Sequence, residues 1–135
     1  MELQISVSAI VVKSKKILLI KRTKFDEFGK KGSWTLPCGR IKIYEDLNKA
    51  IIRELKEETN LNVKLVKPLK VWSKRKNDIW RVSICYLCKY KNSKVKLSKE
   101  HDDFLWVSFK EIKKIKNIEK WIKEYAKIAI KEIKK

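Results

Sequence analysis

In the middle of this chain, between Asp46 and Asn60, the hydrophobic pattern takes on the period of a helix; the segments that flank it have the period of strands. Leu47, Ala50, Ile51 and Leu55 recur at helical spacing, with Ile52 beside them, which predicts one amphipathic helix in the middle of the sequence. Asp46 suits its N-cap, since a short carboxylate can accept the first free amide hydrogens. Asn60 suits its stop, since asparagine tolerates the left-handed conformation that ends many helices.

Upstream, the runs ISVSAIVVK and KILLIKR are separated by Ser14 and Lys15 and read as a hairpin or two neighbouring strands. The charged loop TKFDEFGKKGS and the short extended piece WTLPCG follow. Downstream, NVKLVKPLKVWSKRK and DIWRVSICYLCKY read as long strands around the turn KRKND, and FLWVS as a shorter one. Ser108 and Glu111 have the spacing of a capping box that opens a short helix. The last segment puts Ile118, Trp121, Ile122, Tyr125, Ile128 and Ala129 on one helical stripe. Lysines beside the stripe would also suit a membrane surface, but such a stripe more often closes a core. These elements predict an α+β fold, with a mixed sheet, the Glu45–Asn60 region on one face and the C-terminal helix on another.

At 135 residues the chain is long enough for one cored domain, 1–135, and too short for two. Lysine and arginine outnumber acids by 35 to 16, a formal charge of +19. That excess fits a solvated lysine surface, and equally an anionic partner such as nucleic acid, nucleotide or polyphosphate. Three cysteines do not make a disulfide framework. Cys85 and Cys88 are three apart on a strand, so they point to opposite faces and make a poor metal clip. Buried, reduced thiols and the lack of a signal peptide or membrane-length apolar run lead us to expect a cytoplasmic protein with no membrane partner.

Against the basic background, Glu54, Glu57 and Glu58 crowd within five residues. On a helix they share one side, within roughly a third of a turn. Lys49 and Lys56 lie on the far side, while Leu47, Ile51 and Leu55 turn the acidic edge toward the rim of the core. A solvated face with incidental acids is one reading. The other is a site for a hard divalent cation, Mg2+ or Mn2+, which prefers oxygen ligands.

The surrounding residues resemble the signature of the Nudix hydrolases, G-x5-E-x7-R-E-U-x-E-E-x-G-U with U aliphatic. Gly39, Glu45, Arg53, Glu54, Leu55, Glu57, Glu58 and Leu61 match it, and Asn60 replaces the second glycine. KILLIKR, WTLPCG and EHDDFLWVS resemble family segments outside the signature, so the likeness reaches about residue 112. The last resembles a loop of the diadenosine tetraphosphate hydrolases.

The resemblance implies an α/β/α sandwich that hydrolyses a nucleoside diphosphate linked to another group, X, with Mg2+ or Mn2+. It implies metal ligation by Glu54, Glu57, Glu58 and the Gly39 carbonyl, with Glu45 paired to Arg53. A further carboxylate comes from the downstream loop: Glu100, or Asp102 or Asp103 in its place. His101 is either an exposed loop residue or a group near the phosphates. Cys38, Lys42 and Tyr44 stand where the family usually has glycine, glutamate and glycine, which bears on loop geometry and substrate choice.

In such a site a carboxylate takes a proton from water as it attacks phosphorus; Glu57 is the first choice and Glu100 the second. Arg22, with Lys21 and Lys24 behind it, would face the phosphates. Phe25, Phe28, Trp34, Trp72 and Trp80 are available to stack on a base, with Phe25 and Trp34 taken as substrate-binding. The expected substrates are nucleoside triphosphates, dinucleoside polyphosphates or nucleotide sugars. RNA 5′ ends are a variant of this chemistry, and a non-catalytic, basic RNA-binding module is the reading from another class. A monomer and a homodimer are both compatible with the sequence.

Overall fold

The computed structural model describes residues 1–24 and 30–133. In chain order the elements are β1 (Glu2–Lys13), β2 (Lys16–Arg22), β3 (Trp34–Thr35), β4 (Cys38–Arg40), α1 (Leu47–Thr59), β5 (Asn62–Lys76), β6 (Ile79–Asn92), β7 (His101–Ser108), α2 (Phe109–Ile112) and α3 (Lys120–Ile133). The β1–β2 hairpin turns on Ser14 and Lys15, with φ of 50° and 63°, a sense that matches the twist of its strands.

The sheet is mixed. Its path runs β3–β2–β1–β6–β5, with β4 beside β1 and β7 beside β2. β1 and β6 pair in parallel from Glu2↔Ile79 to Val12↔Lys89, and the other pairings are antiparallel. Strand alternation divides the apolar residues between two cores. Ile10, Val12, Ile17, Leu19, Cys85 and Leu87 pack with Ile122, Tyr125, Ala126 and Ala129 of α3. Ala9, Val11, Leu18, Ile20, Tyr86 and Cys88 pack with Ala50, Ile51 and Leu55 of α1. Burial on both faces is why β1, β2 and β6 read as nearly continuous apolar runs. Cys85 and Cys88 fall in different cores and both are free thiols.

The caps of α1 set where the acids fall. Asp46 accepts from the Asn48 and Lys49 amides at 2.9 and 3.2 Å. Asn60 ends the helix at φ 65°, its amide bonded to the Lys56 carbonyl. The replaced family glycine is therefore a left-handed position, which asparagine occupies at small cost. Tyr44 also sits left-handed, at φ 64°, with its side chain fully exposed. At the C-terminus, α3 begins after Ile118, which instead pairs with Trp34 across an isolated bridge. No helix among the described residues is long and apolar enough to cross a membrane.

Candidate active site

The acidic edge of α1 faces a cleft of about 590 Å³, closed by β4, the end of β2 and the 98–100 loop. The three helical glutamates are not equivalent. Glu54 and Glu58 are buried, at 9% and 7% exposed, whereas the Glu57 side chain is 56% exposed. Arg53 ties them together: its Nη1 donates to Glu54 at 2.9 Å and to Glu57 at 3.1 Å. Its Nε and Nη2 donate to the two carboxylate oxygens of Glu45 at 2.6 and 2.9 Å, and Nη2 reaches the Arg40 carbonyl at 3.2 Å. This fork joins the loop to the helix. It holds the Glu45 carboxyl at about 2, helped by the Lys42 amide. The Arg53 guanidinium is in turn held above its usual range, chiefly by Glu45.

Glu58 is the acid that burial shifts furthest. It accepts the Cys38 amide at 2.8 Å, but burial, with the Glu54 charge adding to it, pushes its carboxyl up to about 9. Burial also raises Glu54, against the pull of Arg53. Gly39 lies directly against Glu54; a Cβ there would stand 2.2–2.4 Å from the carboxylate atoms. The hard oxygen donors, the buried Glu58 carboxyl whose burial outweighs the pull of Arg22, and the glycine cradle all fit a divalent cation. Among the described residues no three acid, thiol or imidazole groups already converge as ion ligands. Arg53 engages Glu54 and Glu57, while the Cys38 amide engages Glu58.

Cations share the cleft. Arg22, Lys24, Arg40 and Lys99 line it together with Glu100, which is 3.5 Å from Lys24. Arg22 and Lys21 part company, although the sequence groups them. Ile20 and Arg22 share one side of β2, while Lys21 faces the other, 5.9 Å from the Trp34 ring. Lys21 and Trp34 thus sit on the α3 side, away from the cleft, because alternate strand residues point oppositely. Asp102 and Asp103 are exposed on β7 and do not line the cleft. Phe25 and Phe28 fall outside the described residues. His101 is not an exposed loop residue: it is 4% exposed and pairs with Arg22 where β7 starts. Arg40 and Lys99 were not singled out from the sequence; only the fold brings their loops to the glutamates.

A smaller cavity of about 100 Å³ opens on the α3 side of the sheet and shares Cys38 with the cleft. Trp72, Trp121, Arg81 and Glu119 line it, with Ser6 and Ser83 on its floor. Their hydroxyls are 2.6 Å apart. The Trp121 indole N–H donates to Glu119 at 2.7 Å, and Arg81 donates to Gln4 at 2.9 Å. The sequence carries a signal for it: Gln4, Ser6 and Ser8 are polar on the face where Ile10 and Val12 continue as core.

A NUDIX domain model matches residues 2–127. An ADP-ribose pyrophosphatase of Methanocaldococcus jannaschii is 42% identical over 74 residues, 55% of this chain. The chain spans only 42% of that relative's length. The crystal structure of a MutT protein from Methanosarcina mazei Go1 superposes with a TM-score of 0.82 at 26% identity, covering 99% of this chain and 97% of that one. A Caenorhabditis elegans Ap4A hydrolase, solved as a binary complex, gives a TM-score of 0.78 at 20% identity, over 97% and 98%. The latter shows likeness of fold alone.

Proposed function

Because this chain belongs to the NUDIX hydrolase family, we propose that it hydrolyses the pyrophosphate bond of a nucleoside diphosphate linked to X, using Mg2+ or Mn2+. The observation that carries this reading is one cleft holding both the carboxylates Glu54, Glu57, Glu58 and Glu100 and the cations Arg22, Lys24, Arg40 and Lys99. Carboxylates alone would repel a polyphosphate, and cations alone would bind it without reaction. Glu54, Glu57, Glu58, Glu100 and the Gly39 carbonyl would hold the ion. When bound, it supplies positive charge that neutralises phosphate oxygens and acidifies water.

The remaining work falls to the chain. Arg22, Lys24, Arg40 and Lys99 draw the phosphates in and offset the charge that builds on the leaving phosphate. Glu45 and Arg53 hold the 39–45 loop to α1, so that Gly39 and Glu54 keep their register. Glu57 is the exposed member of the cluster and receives the proton from water. Water adds to phosphorus, the P–O–P bond breaks, and two phosphate products leave.

The name of the M. jannaschii relative puts ADP-ribose in the test panel, beside nucleoside triphosphates, dinucleoside polyphosphates and nucleotide sugars. Turnover of at least one compound with Mg2+ or Mn2+, lost in chelator and reduced by roughly two to four orders of magnitude in Glu57→Gln, is the expected result. No turnover across the panel with either ion would overturn the reading.

A further inference from the structure

The small tryptophan-walled cavity does not end at its own rim. Trp72, Arg81 and Glu119 also line a third depression of about 450 Å³, whose outer edge carries Lys74, Lys76 and Asn77. Cys38 joins the cavity to the carboxylate cleft at the other end. Their shared lining residues set the three in succession along β1, β6 and β5, and we read that succession as one trough. The strand register gives its length. Cys38 pairs with Ser8, and Lys76 with Ile79, which pairs with Glu2. Six residues of β1 separate those ends, about 20 Å at the rise of a strand.

The trough is longer than a mononucleotide requires, and its chemistry is ordered along it. At one end are the acids and cations of the cleft. In the middle are two indoles, the polar edge of Glu119 and the paired hydroxyls of Ser6 and Ser83, which suit a flat heterocycle with hydrogen-bonding edges. At the far end Lys74 lies opposite Arg81 in the β5–β6 ladder and Lys76 opposite Ile79. These residues put positive charge on the side of the middle cavity remote from the pyrophosphate cleft. A dinucleoside polyphosphate would place its second nucleoside beyond the pyrophosphate and leave this end empty. A nucleotide that continues through its 3′ oxygen would fill it.

Resting on the pyrophosphohydrolase reading, we infer that the substrate is the 5′-polyphosphorylated end of a single-stranded RNA. Its phosphates enter the acidic cleft, its first nucleotide lies between Trp72 and Trp121, and its next phosphodiester meets Lys74 and Lys76. The reaction is the same hydrolysis: water adds to a 5′ phosphorus, one P–O–P bond breaks and the shortened 5′ end leaves with its phosphate co-product.

The test compares a nucleoside triphosphate with a 5′-triphosphorylated decaribonucleotide of the same first base, in Mg2+, for wild type and Lys74→Ala/Lys76→Ala. Both lysines are exposed, so the melting temperature of the double variant should match wild type. Wild type should prefer the oligonucleotide in kcat/KM by about ten-fold or more, and the double variant should lose that preference through KM while keeping mononucleotide turnover. The log–log salt slope for the oligonucleotide should become shallower by about 0.7 for each phosphate contact removed. Equal kcat/KM for the two substrates, or a double variant that changes both alike or neither, overturns the RNA assignment and leaves the hydrolase reading standing. Turnover of neither substrate, together with turnover of ADP-ribose or a nucleotide sugar, also overturns it alone; no turnover of anything removes the hydrolase reading as well.

Discussion

Gly39 and Glu54 are in contact at a distance that only glycine allows: a Cβ on Gly39 would stand 2.2 Å from the Glu54 carboxyl carbon. Gly39 is not among the positive-φ positions of the described residues, so glycine is needed there for space alone. Gly39→Ala must therefore push the buried carboxylate off its perch. We expect turnover to fall by about two orders of magnitude while the protein still folds, since a side chain at the cleft rim has room to move. Comparing kcat and the Mg2+ concentration at half-activity checks this; unchanged values would mean that Glu54 does not act from this position.

The fork between Arg53 and Glu45 predicts a pH effect with a definite sign. Glu45 titrates near 4.5 when unpaired and at about 2 in the fold. A depressed carboxyl contributes stability that is present above pH 4.5 and lost as pH falls through 2. Glu45→Gln should thus melt below wild type at pH 6, and the gap should close on acidification from pH 4.5 to 2. A gap independent of pH would mean that the pair contributes through packing rather than charge.

Tyr44 holds a left-handed backbone conformation with no packing to support it. Tyr44→Gly removes the Cβ clash but adds disorder to the unfolded chain. We expect a net gain of up to about 1 kcal/mol, read by chemical denaturation. A loss of stability would show that the tyrosine ring is anchored in solution.

Burial pushes the Cys85 and Cys88 thiols up to about 12, whereas Cys38 is half-buried and lines the cleft. At pH 8 a thiol reagent should modify Cys38 first and leave Cys85 and Cys88 until the protein unfolds. Mass mapping of the labelled peptides reads the order; rapid labelling of Cys85 or Cys88 would contradict the two-core packing.

The parts of this fold that local chemistry dictates were legible in the sequence. Asp46 and Asn60 cap α1, Ser108 and Glu111 make their capping box, and Glu45 meets Arg53. All of these link residues close in the chain or fixed in one motif. What was not legible depends on long-range pairing. The parallel match of β1 with β6 spans more than seventy residues, and it alone assembles the Ser6–Ser83 floor and the Gln4–Arg81 contact. Lys21 was grouped with Arg22 by adjacency, but a strand separates neighbours. β7 begins at His101 rather than Phe104 because pairing with β2 extends through Arg22, and this buries an imidazole that its polar neighbours made look exposed.

The central claim is that the three helical acids are gathered to hold a metal ion. The most direct measurement is the melting temperature of wild type and Glu57→Gln, with and without Mg2+, alongside turnover. Glu57→Gln keeps size and removes one charge beside Glu54 and Glu58, at a side chain more than half exposed, so the metal-free proteins should melt nearly alike. Mg2+ at a hundred times its dissociation constant should stabilise wild type by about 2.7 kcal/mol and the variant by clearly less. Turnover of the variant should be lower by roughly two to four orders of magnitude. A Glu57→Gln protein that gains as much from Mg2+ as wild type and keeps full activity would contradict the claim and leave a solvated helix face.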